Sequence, residues 1–146
     1  MFWSVAVHSL IVCALVVTPA AKLYALIHDV ASEATIGDIL SPLKSSTIKE
    51  IEFQVYCHTL RKWNIPLPSP AIVAEVHRAD EDAFLGELGA GIAPEGGHFL
   101  HRHRRIPPAA VRLTRSYIRK MQAVRNREQW EVAQFMRLYS SLRQEK

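Results

Sequence analysis

Residues 1–21 contain no Lys, Arg, Asp or Glu, and the whole chain has only two cysteines, Cys13 and Cys57. There is no CxxC pair and no Cys/His combination at zinc spacing, which argues against a disulfide framework or a zinc ribbon. Both cysteines therefore read as small buried thiols. No GxSxG, HExxH, paired-carboxylate or Cys/His nucleophile arrangement is present. The seven histidines, His8, His28, His58, His77, His98, His101 and His103, are scattered or gathered in one basic loop. Glycine is scarce outside residues 86–97, which hold five of the six. Gly86-x-x-Gly89-x-Gly91 is not a dinucleotide fingerprint, and no Lys-Ser/Thr follows as a phosphate loop needs. These absences lead to an expectation of no catalytic residue, no cofactor and no metal, hence a non-enzyme.

What is present first is apolar length. Met1 to Ala21 reads MFWSVAVHSLIVCALVVTPAA. About twenty apolar residues rising 1.5 Å each match a hydrocarbon core of roughly 30 Å. The spacing predicts a single transmembrane helix over 1–28, with Phe2, Trp3 and Tyr24 at the interfaces and Pro19 kinking the last turn. Two competing readings are a cleaved secretory signal, with a small-residue site near Thr18-Pro19-Ala20 and no basic n-region, and a buried helix of a soluble body. Every Lys and Arg follows residue 21, so the positive-inside bias places the body on the cytoplasmic or matrix side. His8 is expected to sit neutral and hydrogen-bonded within the span.

Net charge is +4, but it is unevenly distributed. Residues 22–97 carry six basic and eleven acidic side chains, whereas 98–146 carry twelve basic and three acidic. A 29–46 linker leads to a helical pair over 47–85. Thr47 and Glu50 have capping-box spacing, and Asn64-Ile65-Pro66 ends the first helix. Ser69 and Pro70 suit the N-cap and first turn of the second helix, which is expected to close near Gly86. Asp80-Glu81-Asp82 on that helix reads as a solvated or partner-facing surface, because successive helical side chains diverge by about 100°. Residues 86–108 form an expected Gly/Pro/His/Arg-rich loop. One long basic amphipathic helix is expected over 109–146, with Leu113, Tyr117, Met121 and Val124 forming one stripe and Val132, Phe135, Met136, Tyr139 and Leu142 another.

The fold class expected is all-α: the membrane helix, two short helices, the loop and the long C-terminal helix. Arg102, Arg104, Arg105, Arg112, Arg115, Arg119 and Lys120 are the candidate docking residues for anionic phospholipid or an acidic partner. Three cations among His98, His101 and His103 disfavour a metal there.

Pro107-Pro108-Ala109-Ala110-Val111-Arg112 through Ile118-Arg119-Lys120-Met121-Gln122-Ala123-Val124 resembles the second helix of universal large-subunit ribosomal protein twenty-nine. That resemblance implies a two-helix RNA-binding hairpin, with Thr47 to Asn64 as its first helix and the basic 98–127 region on RNA phosphates. Two functional expectations follow. The first is a non-catalytic single-pass accessory subunit of a multi-subunit complex in the mitochondrial inner membrane, a respiratory-chain complex or ATP synthase, with its body on the matrix side. The alternative is a ribosome-associated RNA-binding protein.

Overall fold

A computed structural model describes residues 4–29, 45–92 and 105–144. The described residues form six helices and no strand: α1 Val5–Leu15, α2 Pro19–Ile27, α3 Ser46–Lys62, α4 Pro70–Gly89, α5 Pro108–Gln122 and α6 Arg127–Gln144. The all-α class holds, whereas the transmembrane helix does not. Among the described residues no helix is long and apolar enough to cross a membrane.

The apolar leader instead folds into two short helices, and three residues explain the break. Pro19 lacks an N–H and disfavours helical geometry just before it, so Thr18 is extended and Pro19 opens α2, while Val16 is already extended at the end of α1. Lys22 Nζ donates to the carbonyls of Cys13 and Val16 at 3.3 Å, satisfying the end of α1. From α4, Glu75 Oε1 accepts from the N–H groups of Val17 and Thr18 at 2.7 and 2.8 Å. The hydrophobicity that suits lipid here serves the protein interior. Val7, Leu10, Ile11, Val12, Leu23, Ala25, Leu26 and Ile27 are all buried in the main core. Both helices pack on α4, and both also meet α6. A helix apolar nearly all round belongs either in lipid or at the centre of a bundle, and α1 takes the second place.

α3 starts earlier than the capping box implies, because Ser45 is the N-cap and its Oγ accepts from Ile48 N–H at 3.3 Å. It buries only Cys57 and Leu60, and it ends where Asn64 adopts φ 52°, a conformation asparagine tolerates. α4 begins as expected, with Ser69 capping and Pro70 in the first turn. It runs past Gly86, because that glycine is a packing contact and not a helix end. A Cβ at Gly86 would lie 2.8 Å from the backbone carbon of Ala110, so its absence lets α4 and α5 cross closely. Glycine's other role appears just beyond the helix, where Gly91 has φ +78°.

The single long C-terminal helix is also divided. α5 ends at Gln122, and Asn126 then starts α6 by accepting from Gln129 N–H at 3.1 Å. The polar interval in the apolar stripe is thus a turn, after which α6 folds back onto α1 and α2. Glu131 on α6 is buried and accepts from Ser4 Oγ at 2.5 Å, fastening α6 to the N-cap of α1. Both cysteines are free and buried, and burial pushes the Cys13 thiol up to about 11. The middle of the expected linker, at 30–44, and most of the His/Arg loop, at 93–104, lie outside the described residues.

Candidate metal centre

Three elements converge on one polar cluster inside this apolar bundle. α1 contributes His8, the end of α2 contributes His28 and Asp29, and α4 contributes Asp80 and Glu87. Asp80 and Glu87 are seven residues apart, two helical turns, so both carboxylates leave α4 on nearly the same face.

The hydrogen bonds define how each imidazole is turned. His8 Nδ1 lies 2.7 Å from Glu87 Oε1, and His28 Nδ1 lies 2.8 Å from the carbonyl oxygen of Ala25. A carboxylate and a carbonyl accept only, so both Nδ1 atoms carry the proton and donate it. Each Nε2 is thereby directed at the same spot. His8 Nε2 is 3.0 Å from Asp80 Oδ1 and 3.8 Å from Asp29 Oδ2. His28 Nε2 is 3.0 Å from Asp29 Oδ2 and 3.6 Å from Asp80 Oδ1. Although close to both carboxylates, this buried nitrogen has hydrogen-bond geometry to neither.

The donor atoms of His8, His28 and Asp80 lie within 4.8 Å of one another. Around a cation with bonds of about 2.1 Å, neighbouring ligand atoms stand roughly 3.0–3.4 Å apart. The contacts of 3.0–3.8 Å overlap that range, and Asp29 Oδ2 stands beside both Nε2 atoms as a candidate fourth donor. Imidazoles with carboxylates form a mixed nitrogen and oxygen set that suits a divalent transition metal such as zinc, manganese or iron. Glu87 on His8 and the Ala25 carbonyl on His28 supply the outer partners that metal-ligating histidines use to hold tautomer and ring orientation. The site is more sheltered on the histidine side: His8 and His28 are 14% and 12% exposed, whereas Asp29 and Asp80 are 29% and 36% exposed.

Electrostatics follow the geometry. Burial pulls both imidazoles down, yet the adjacent carboxylates prevail. Asp80 and Glu87 hold His8 well above its ordinary value, and Asp29 and Asp80 hold His28 up at about 9. Burial likewise works against the charged forms of Asp29 and Asp80, but the histidines keep both carboxyls below the usual range. Without a cation, then, protons on the imidazoles neutralise the carboxylates. A divalent cation held by these residues would do the same work with its own charge, and its binding would compete with those protons.

No protein-family model, no curated protein and no solved structure matches the chain. The site therefore stands on its own chemistry.

Sequence patterns had separated what the fold brings together. His8 was expected within a membrane span and instead faces Asp80 and Glu87. Asp80 was expected on a solvated acidic surface; it turns inward while Glu81 stays exposed. A signal was nonetheless available in the adjacent His28-Asp29 pair and in a histidine placed on an otherwise apolar helix. Among the expected docking residues, Arg105, Arg112, Arg115, Arg119 and Lys120 are exposed, and none belongs to the cluster. Arg102 and Arg104 lie outside the described residues.

Proposed function

We propose that the chain is a metal-dependent hydrolase that uses His8, His28, Asp29 and Asp80 to hold a divalent cation and cleaves phosphate esters. The observation that carries this reading is the convergence of two Nε2 atoms, each fixed by a partner on its own Nδ1, upon two aspartates. When bound, a divalent cation supplies Lewis acidity, polarising a phosphoryl oxygen and acidifying a water molecule. The chain's own part is to orient the ligands, shield the histidine side from solvent and leave the aspartate side more exposed. Glu87 keeps the His8 proton on Nδ1, so that Nε2 presents its lone pair. Phosphate esters are the substrate class proposed because a divalent cation held on two histidines and two aspartates would polarise a phosphoryl oxygen.

The test is to strip the protein with chelator, reload it with manganese, cobalt or zinc, and assay p-nitrophenyl phosphate and bis(p-nitrophenyl) phosphate. The reading requires about one equivalent of metal and hydrolysis that depends on it. It also requires His28→Ala and Asp80→Ala to lose metal and at least about 100-fold in rate. Wild-type protein that retains no metal, or variants that hydrolyse equally well, would refute it.

A second reading rests on α5. Arg112, Arg115 and Arg119 recur at helical spacing and are all exposed, forming a cationic row suited to an acidic protein partner. This keeps the accessory-subunit idea as a docking role compatible with the metal centre, but without the spanning helix on which its membrane placement rested. Its test is capture of an acidic partner that weakens with salt and with Arg115→Glu.

A further inference from the structure

A cavity lies away from the histidine cluster. It has a volume of about 280 Å³ and is bounded by α1, α5 and α6. Leu10 forms its α1 wall, and the remaining lining comes from the two C-terminal helices. Leu10 is two residues from His8, about 200° around the helix. The cavity and the metal centre therefore flank α1 from opposite sides.

The lining combines two flat rings with two cations. Tyr117 and Trp130 meet edge to face, with ring centroids 6.4 Å apart. Lys120 Nζ stands 5.1 Å from the Tyr117 ring centroid, and Arg137 approaches from α6. Gln134 and Ser141 add neutral hydrogen-bonding groups, and no carboxylate lines the cavity. Among the described residues neither Lys120 nor Arg137 is in an ion pair. Two cations beside an aromatic wall match the chemistry of a molecule that has an anionic group at one end and a planar ring at the other. The volume is close to the lower end of small-ligand sites, about 300 Å³.

We infer that this cavity binds a mononucleotide, with its phosphate on Lys120 and Arg137 and its base against Tyr117 and Trp130. Guanidinium and ammonium groups answer the phosphate, the fork of Arg137 supplying two parallel donors. The rings answer the base, a contact that tolerates any base because each has a π face. Gln134 is placed to add a polar contact. The inference does not depend on the hydrolase reading, because no residue of the metal centre takes part.

Adenosine monophosphate is the probe, titrated calorimetrically into the full chain after metal has been removed with chelator. The expected result is saturable binding that weakens at least 10-fold in Lys120→Ala and in Arg137→Ala. Both side chains are exposed, and thermal melts of the variants establish that they fold. Trp130→Phe should retain binding and Trp130→Leu should lose most of it. Adenosine and inorganic phosphate, each supplying half of the ligand, should both bind at least 10-fold more weakly. The assignment is overturned if adenosine monophosphate shows no saturable binding, or if the Lys120 and Arg137 variants bind it unchanged. It is equally overturned if either half-ligand binds as tightly, or if Asp80→Asn abolishes binding, which would move the nucleotide to the histidine cluster.

Discussion

His8 and Glu87, 79 positions apart in the chain, meet at 2.7 Å between Nδ1 and Oε1, and Glu87 is almost wholly buried behind the imidazole. In the proposed metal site the carboxylate would not itself be a ligand. Its effect is to decide which nitrogen of His8 faces them. Glu87→Gln can still accept a hydrogen bond but removes the charge that supports the imidazole. The expected outcome is a loss of roughly 10–100-fold in metal affinity with the fold retained, the range seen when such outer partners are removed. Competition with a chromogenic chelator measures it, and unchanged affinity would deny Glu87 this role.

The metal-free protein should show a defined pH window of stability. His8 and His28 have pKa values raised above the ordinary 6.5, so the stability they contribute is complete below that value. It is lost as pH rises through the folded value, about 9 for His28. Asp29 and Asp80 are lowered from 3.8, so their contribution is present above that value and lost as pH falls below it. Chelated protein should therefore have its highest Tm between about pH 4 and 6.5 and a falling Tm toward pH 9. Added metal should reverse the alkaline decline, because cation binding strengthens as the imidazoles lose their protons. A flat alkaline limb in scanning calorimetry of the chelated protein would contradict this.

Ile11 tests the position of the apolar leader. It is wholly buried in the core, so Ile11→Ala removes packed methyl groups and leaves a cavity. The expected cost is about 2–5 kcal/mol in denaturant unfolding. A change below roughly 0.5 kcal/mol, the range for substitutions away from packed features, would place Ile11 outside the core.

Gly86→Ala tests the crossing of α4 and α5. The added Cβ would stand 2.8 Å from backbone and Cβ atoms of Ala110, a contact that backbone cannot easily yield. Helix propensity alone favours alanine by up to about 1 kcal/mol. Overpacking opposes it by about 1–3 kcal/mol, and the second effect should win. Net destabilisation in chemical unfolding is the expected sign.

The helical class was legible because periodicity and caps are local, and Ser69-Pro70 begins α4 as its residue types require. The fate of residues 4–27 was not. Lipid and a protein interior make the same demand on a helix, so an apolar run cannot by itself distinguish them. The deciding details are Pro19, Lys22 and the distant Glu75, and the last acts only once α4 is in place. Gly86 misled for a related reason: a glycine wanted for closeness to Ala110 looks the same as one wanted for a helix end. The candidate site was least legible of all. Its histidines are 20 positions apart and Asp80 lies 52 beyond His28, so only the folded chain makes them neighbours.

The elbow at Val16–Thr18 has a consequence for biosynthesis. Its exposed backbone N–H groups are satisfied by Glu75, and the apolar faces of α1 and α2 are covered by α4, which the ribosome makes later. Until that segment emerges, the nascent hairpin presents an oily surface with nothing to close over it, a state prone to self-association. Chaperone occupancy should therefore be highest while residues 4–27 are exposed without α4, and fall as α4 and then α6 emerge to cover them.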